Sequence, residues 1–294
     1  MKTILVPTDF SENAENALNY AVNIAKRTQA KIILLHSFHI DYNSGYVPPN
    51  LIEKEIAEAE KKSNAHLKTL YNKASQSSKH PIECISTQNL LVDEILTLIE
   101  EKNVDLIIIG TQGANGKLGR QIFGTNSSKV IEKANCPVIT IPEGNLYSDI
   151  KTIVYATEYI DSDIVCLQSL ADIAKLFEAK IQVLHVSLYD DADAKKLMEE
   201  FKLKVSKNVA YNNIAYKLLI GHNIEQRIEA YLEEEEKVDL LVMSAHHRNL
   251  TDKLFGKSIT KVMAFYLKVP LMVFHHKRNK TDDATDRTIA KLIL

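Results

Sequence analysis

Short, wholly apolar runs alternate along this chain with longer stretches in which apolar positions recur every three to four residues. Ile4 to Val6 predicts a buried strand. Glu12 to Thr28 places Ala14, Ala17, Leu18, Ala21, Val22, Ile24 and Ala25 on one stripe, the spacing of an amphipathic helix. Strand-like runs follow at 32–37, 82–86, 104–109 and 138–141, and helical ones at 51–75, 92–102 and 126–133. Asp41 to Asn50 contains Gly45, Pro48 and Pro49 and predicts a loop. Continuous apolar strands alternating with helices imply an α/β fold, a parallel sheet covered on both faces.

The pattern then repeats. Ala30-Lys31-Ile32-Ile33-Leu34-Leu35-His36 returns as Ala179-Lys180-Ile181-Gln182-Val183-Leu184-His185. Val104-Asp105-Leu106 returns as Val238-Asp239-Leu240, and Cys136-Pro137-Val138-Ile139 as Val269-Pro270-Leu271-Met272. The order is kept, so the chain is a tandem duplication. In the second copy strands are predicted at 153–155, 181–186, 215–220, 240–243 and 271–274, with helices at 163–177, 194–207, 224–235 and 258–267. The joint falls near Glu143 to Asp149, where Gly144, Asn145 and Ser148 interrupt the apolar pattern. The expected domains are 1–145 and 146–276, followed by a charged tail, 277–294.

Composition changes this picture only at the margins. At 294 residues the chain is long enough for two domains, each with a core of its own. A formal net charge of -2 gives no general attraction to nucleic acid or to an anionic membrane. The run after Met1-Lys2 is too short for a signal-peptide core, and no apolar stretch reaches the roughly 20 residues of a membrane helix. Cys84, Cys136 and Cys166 lie far apart, with no CxxC, and suggest a reducing, cytoplasmic setting in which they pack as small hydrophobes.

In an open parallel sheet, ligands sit beyond the carboxyl ends of the strands. Two segments leave such ends. Val6-Pro7-Thr8-Asp9-Phe10-Ser11 offers a stiff turn, a carboxylate and a helix cap; taken alone, Asp9 and Ser11 are more readily explained by capping. The second segment runs from Gly110 to Asn126 and holds five of the nine glycines of the chain. Its amides can form a concave nest for an anion, next to the N-terminus of a helix that Thr125 or Asn126 can cap. Lys117 and Arg120 could add charge. This favours phosphate binding over a plain surface loop. There is no Walker pattern, no dinucleotide fingerprint after the first strand, and no Ser-Gly-Gly-x-Asp-Ser turn.

Taken together, Val-Pro-Thr-Asp-Phe-Ser, the late glycine loop and Cys-Pro-Val-Ile resemble the universal stress protein family, over nearly the whole chain and as two tandem domains. The resemblance implies an adenine nucleotide alpha hydrolase-like fold: two tandem five-stranded parallel sheets of order 3-2-1-4-5, with ATP, alone or with Mg2+, at the strand ends. The family pattern is a glycine, two residues, a glycine, nine residues, then glycine and Ser or Thr. Gly110, Gly113, Gly124 and Thr125 match it, with a spacer of ten residues in place of nine. By that resemblance Pro7, Thr8 and Asp9 flank adenine and ribose, and Ser37 lies beside the base. Gly110, Gly113, Gly124, Thr125 and Asn126 hold ribose and phosphates, and Gly116, in the same glycine-rich stretch, is counted with the nucleotide-binding residues. The resemblance also implies pairing through the last strands, either within the chain as a pseudo-dimer or between chains as a homodimer.

The second copy departs from the pattern. Ala156-Thr157-Glu158 replaces Pro-Thr-Asp, Ser244 and His247 replace the first two glycines, and Gly256 follows after a spacer of eight. Without the glycines, backbone approach to phosphate is poorer, so this half is not expected to bind ATP. His246 and His247, with His222, lack the three or four ligands in set geometry that zinc requires. His275 and His276 point to opposite faces of a strand, and His36 and His185 recur at equivalent strand ends as structural residues. No general base other than Asp9 and no acidic cluster for Mg2+ stands near the loop, so no catalytic residue is assigned, and hydrolysis is slow or absent. The expected function is stress-response regulation through ATP held in the first domain. The alternatives are a scaffold independent of nucleotide, and a metal or small ligand in the second domain.

Overall fold

A computed structural model describes residues 1–40, 48–77, 79–111, 125–190, 192–235, 237–245 and 268–275. The N-terminal half runs β1 (Thr3–Pro7), α1 (Glu12–Thr28), β2 (Lys31–Ser37), α2 (Pro49–Ser77), β3 (Ile82–Thr87), α3 (Leu91–Lys102), β4 (Leu106–Thr111), α4 (Thr125–Lys133) and β5 (Val138–Pro142). The C-terminal half runs β6 (Thr152–Ala156), α5 (Asp161–Phe177), β7 (Lys180–Ser187), α6 (Ala192–Asn208), β8 (Ile214–Ile220), α7 (Ile224–Glu234), β9 (Leu240–Ala245) and β10 (Leu271–His275). The tail at 277–294 and the expected helix at 258–267 lie outside the described residues.

Each half has the order 3-2-1-4-5, and the two merge into one ten-stranded sheet, β3-β2-β1-β4-β5-β10-β9-β6-β7-β8. All neighbours are parallel except β5 and β10, which run antiparallel with Ile139 opposite Met272. Val138 and Leu271 are equivalent in the repeat, and Thr140 faces Leu271 just as Val273 faces Val138. The seam is therefore a pseudo-twofold centred on Ile139 and Met272, the pairing expected of a pseudo-dimer.

Strand alternation sorts the apolar side chains into two layers. Ile4, Val6, Leu34 and Ile108 face α1 and α2, and the same layer continues into α5 and α6 through Met272 and Tyr155. Leu5, Ile33 and Leu35 face the other side, with Ile95 of α3, Val130 of α4 and Ile228 of α7. Both layers cross the seam, so the halves share their cores. Among the described residues no helix is long and apolar enough to cross a membrane.

Local chemistry explains the boundaries. Ser11 Oγ accepts the Ala14 amide and starts α1, and Gln29 closes it in the left-handed region. Pro49 and Asn50, expected in a loop, open α2 instead; a proline in the first helical turn loses no hydrogen bond. Val104 and Asp105, expected in a strand, precede β4. The Asp105 carboxylate accepts the amides of Lys2 and Thr3, while its own amide donates to Thr3 O. Asp239 repeats this with Lys151 and Thr152, at 2.8 and 2.9 Å. The recurring Val-Asp-Leu is thus a clamp that ties the start of the fourth strand to the start of the first. Cys136 and Cys166 are buried as expected, whereas Cys84 is exposed on the edge strand β3.

The joint is held on both sides. Asn16 Nδ2 donates to Asn145 O, Tyr20 donates to Asn145 Oδ1, and Asn145 Nδ2 donates to Lys268 O at 2.8 Å. Burial pushes the Tyr20 phenol up to about 12, so it stays a donor at any physiological pH. Arg27 reaches Asp149 at 3.6 Å and lies over the Phe177 ring of α5 at 5.9 Å.

The two clamps differ in burial: Asp239 is 7% exposed, whereas Asp105 lies at the surface. Asp239→Ala is expected to cost about 2–3 kcal/mol, because it removes a buried carboxylate and leaves the part-buried amides of Lys151 and Thr152 without their acceptor. Asp105→Ala is expected to cost less. Urea denaturation of the two variants measures the difference, and equal losses would remove burial as the cause.

Candidate functional site

In the N-terminal half the carboxyl ends of β1 and β4 part, at the point where strand order reverses. Between them opens a cleft of about 300 Å³. It is lined by Pro7, Thr8, Asp9, Ser11, Asn13, Ala14, Ser37, His39, Leu91, Ile109, Gly110, Asn126 and Ser127. Six of the ten sequence-derived candidates are therefore together: Pro7, Thr8, Asp9, Ser37, Gly110 and Asn126. Thr125 begins α4. Gly113, Gly116 and Gly124 lie outside the described residues, as do Lys117 and Arg120.

The turn after β1 is built from its own side chains. The Thr8 amide donates to Leu35 O, and Thr8 Oγ1 accepts the Phe10 amide at 3.0 Å. Asp9 Oδ1 accepts the Ser11 amide at 3.0 Å, so Asp9 and Ser11 do shape the helix start while also facing the cleft. Phe10 takes a positive φ of 66°. Its ring thereby comes to lie 4.2 Å from His36 and 4.9 Å from His66. His36 Nδ1 meets Ser63 Oγ at 2.8 Å, behind the cleft wall. Burial lowers the His36 pKa below its ordinary 6.5, with Asp9 opposing the shift and His66 adding to it.

Gly110 has a structural reason to be glycine. A Cβ there would stand 2.8 Å from Asn13 O, a backbone atom that cannot swing away. The same close approach lets Asn13 Nδ2 donate to the carbonyls of Thr111 and Ile141, which fixes α1 against β4 and β5. Ser127 Oγ donates to Gly110 O at 3.5 Å and holds the start of α4 at the rim.

Sequence reasoning missed Ser11 as a lining residue, together with Asn13, Ala14, His39, Leu91, Ile109 and Ser127. Ala14 stands in the apolar stripe of α1 and reads as core. His39 lies just beyond β2 and Leu91 opens α3, and the only signal of either is its position after a strand.

The C-terminal half reuses the framework and closes the space. The Thr157 amide donates to Leu184 O, Thr157 Oγ1 accepts the Tyr159 amide, and Tyr159 has a φ of 62°. Its ring stacks on His185 at 4.2 Å, and His185 Nδ1 meets Thr157 O at 2.8 Å. Both strand-end histidines, His36 and His185, therefore buttress the turn. Among the described residues a hollow of about 110 Å³ is left, lined by Ala156, Thr157, Glu158, Leu184, His185, Val186, Ile224, Ile228, Met243 and Ser244. No described residue of α5 lines it, whereas α1 and its cap contribute Ser11, Asn13 and Ala14 to the N-terminal cleft. Among the described residues no three His, Cys, Asp or Glu side chains gather as a metal site. His222 is described; His246, His247 and His276 are not.

Comparison with known proteins gives a consistent answer. The model of the universal stress protein family matches residues 1–142 and again 149–275. Universal stress protein Slr1230 of Synechocystis sp. is 24% identical over 304 aligned positions, covering 93% of this chain and all of that protein. Universal stress protein YxiE of Bacillus subtilis is 31% identical over 145 positions, covering 47% of this chain and 97% of its own length. The crystal structure of a universal stress protein from Archaeoglobus fulgidus superposes with a TM-score of 0.72 at 19% identity, covering 94% of this chain and 98% of that one.

Gly110→Ala is expected to lose about 1–3 kcal/mol in urea denaturation without any ligand, since its methyl group must displace the backbone of α1. A neutral result would show that α1 can retreat. His36 supplies a pH dependence. Its folded pKa is depressed, so the stability it supports is complete above about pH 6.5 and is lost as pH falls through the lower folded value. His36→Gln is expected to flatten that acid-side slope, measured as ΔG of unfolding against pH.

Proposed function

The chain belongs to the universal stress protein family, and from that premise we propose that its N-terminal half binds ATP, or a closely related adenine nucleotide, in the cleft between β1 and β4. At family level it is a stress-response protein. One observation carries the finer reading. Two halves built on the same framework differ in the space that their described residues enclose at the strand ends, about 300 Å³ against 110 Å³. Only the larger falls within the usual size of a small-molecule site.

In this reading Asp9 turns its carboxylate to the ribose hydroxyls, and the backbone at Ser37 lies beside the base. Gly110, Asn126 and the first turn of α4 meet the phosphates, where helix amides and dipole favour negative charge. Gly113, Gly124 and Thr125 complete the cradle by the family pattern, with Gly116 in the glycine-rich stretch between them. Mg2+ would travel with the nucleotide, held chiefly by phosphate oxygens and water. Asp9 is the one carboxylate among the described residues that line the cleft, and its Oδ1 already accepts the Ser11 amide. That favours a nucleotide that is held and changes a surface, with slow or no hydrolysis.

A second reading is a scaffold that needs no nucleotide. It is favoured by Gly110, which the approach of Asn13 explains without any ligand.

The two readings part on a thermal shift. Under the first, ATP with Mg2+ at about 100 times its dissociation constant stabilises the full chain by about 2.7 kcal/mol. Calorimetry then gives one nucleotide per chain, and Asp9→Ala weakens binding by about tenfold. An unchanged melting temperature at saturating ATP would leave the scaffold standing, and two nucleotides per chain would contradict the asymmetry.

A further inference from the structure

In the C-terminal half the Asp163 carboxylate stands where the N-terminal half keeps open space. The repeat pairs Tyr155 with Val6, Thr157 with Thr8, Glu158 with Asp9, Asp163 with Ala14 and Ser244 with Gly110. Thr8, Asp9, Ala14 and Gly110 all line the open cleft. Asp163 is absent from the lining of the smaller hollow and is fully buried.

Its oxygens collect donors from three elements. Oδ1 accepts Tyr155 OH at 2.8 Å and Ser244 Oγ at 2.9 Å. Oδ2 accepts Thr157 Oγ1 at 2.6 Å, the Glu158 amide at 3.1 Å and the Ile160 amide at 3.4 Å. An acidic residue in the first turn of a helix ordinarily reaches back to one cap amide. That accounts for Ile160 and leaves the donors from β6, its following turn and β9 unexplained. A buried carboxylate is tolerated only when such donors surround it. Three of the differences from the N-terminal half fit together: aspartate stands for alanine, serine for glycine and tyrosine for valine, and the serine and tyrosine hydroxyls both donate to the aspartate.

We propose that Asp163 is a built-in anion, which occupies permanently the position between the strand ends that an acidic ligand group would take in an open sheet. The C-terminal half is thus sealed by its own side chain, and it is selective against nucleotide for that reason as well as for its missing glycines. The assignment holds whatever the N-terminal cleft binds.

The test is chemical rescue in the full-length chain. Asp163→Ala installs the N-terminal residue and leaves the donors facing a void of carboxylate size. The melting temperature is expected to fall by roughly 5–10 °C. Formate at about ten times its dissociation constant should restore about 3 °C, and chloride at equal ionic strength should not. The unaltered chain should melt alike in both salts. If the variant does not fold unaided, the yield of refolding from urea in formate against chloride is read instead. Equal behaviour in the two salts, or a variant as stable as the parent, overturns the proposal. None of these outcomes depends on ATP, so failure here is distinguishable from failure of the nucleotide reading.

Discussion

The antiparallel contact between β5 and β10 is the constraint on which the rest of the molecule depends. Each half alone would present an apolar fifth strand with unpaired backbone groups, an edge open to aggregation. Joined at Ile139 and Met272, the edges satisfy each other and both core layers run on without a break. The same contact sets the halves in opposite senses. All strands of the first half run one way and all strands of the second the other, so their carboxyl ends emerge on opposite borders of the sheet.

The contrast between those borders is local. The turn after the first strand, the aromatic residue at positive φ and the histidine behind it are the same device in both halves. Among the described residues, what differs is a handful of side chains. Small ones, Ala14 and Gly110, leave a cleft; Asp163 and Ser244 bridge the same gap with hydrogen bonds. A conserved backbone framework therefore does not by itself decide whether a site exists. The groups directed into the space between strand ends do.

Most of the fold was legible because its signals are periodic. The boundaries of α1 at Glu12 and Thr28 follow from the apolar stripe and the Ser11 cap, and the tandem sheet follows from the repeat. Where the reading slipped, a specific interaction had overridden the pattern. Asp105 leaves the strand to clamp the first one, and Pro49 starts a helix that its neighbours Gly45 and Pro48 seemed to forbid. The location of the cleft followed from the rule for open sheets, and six candidates lie in it. Its α1 wall did not follow, because Asn13 and Ala14 read as ordinary helix positions until tertiary contact brings them beside Gly110. Asp163 was hidden in the same way: an acid in a first helical turn looks like dipole complementarity. Aligned with Ala14, and with Ser244 opposite Gly110, it carries a signal that either copy alone lacks.

Fusing the copies in one polypeptide has a genetic consequence. When two identical chains associate, every substitution appears twice, so a change that shuts one mouth shuts its mate. Here one mouth could be shut while the other stayed open, and synthesis delivers them in a fixed ratio with no sorting of mixed assemblies. The joint anchored by Asn145 and the shared β5–β10 contact keep the unlike partners in register, so lopsidedness is inherited as a property of the molecule itself.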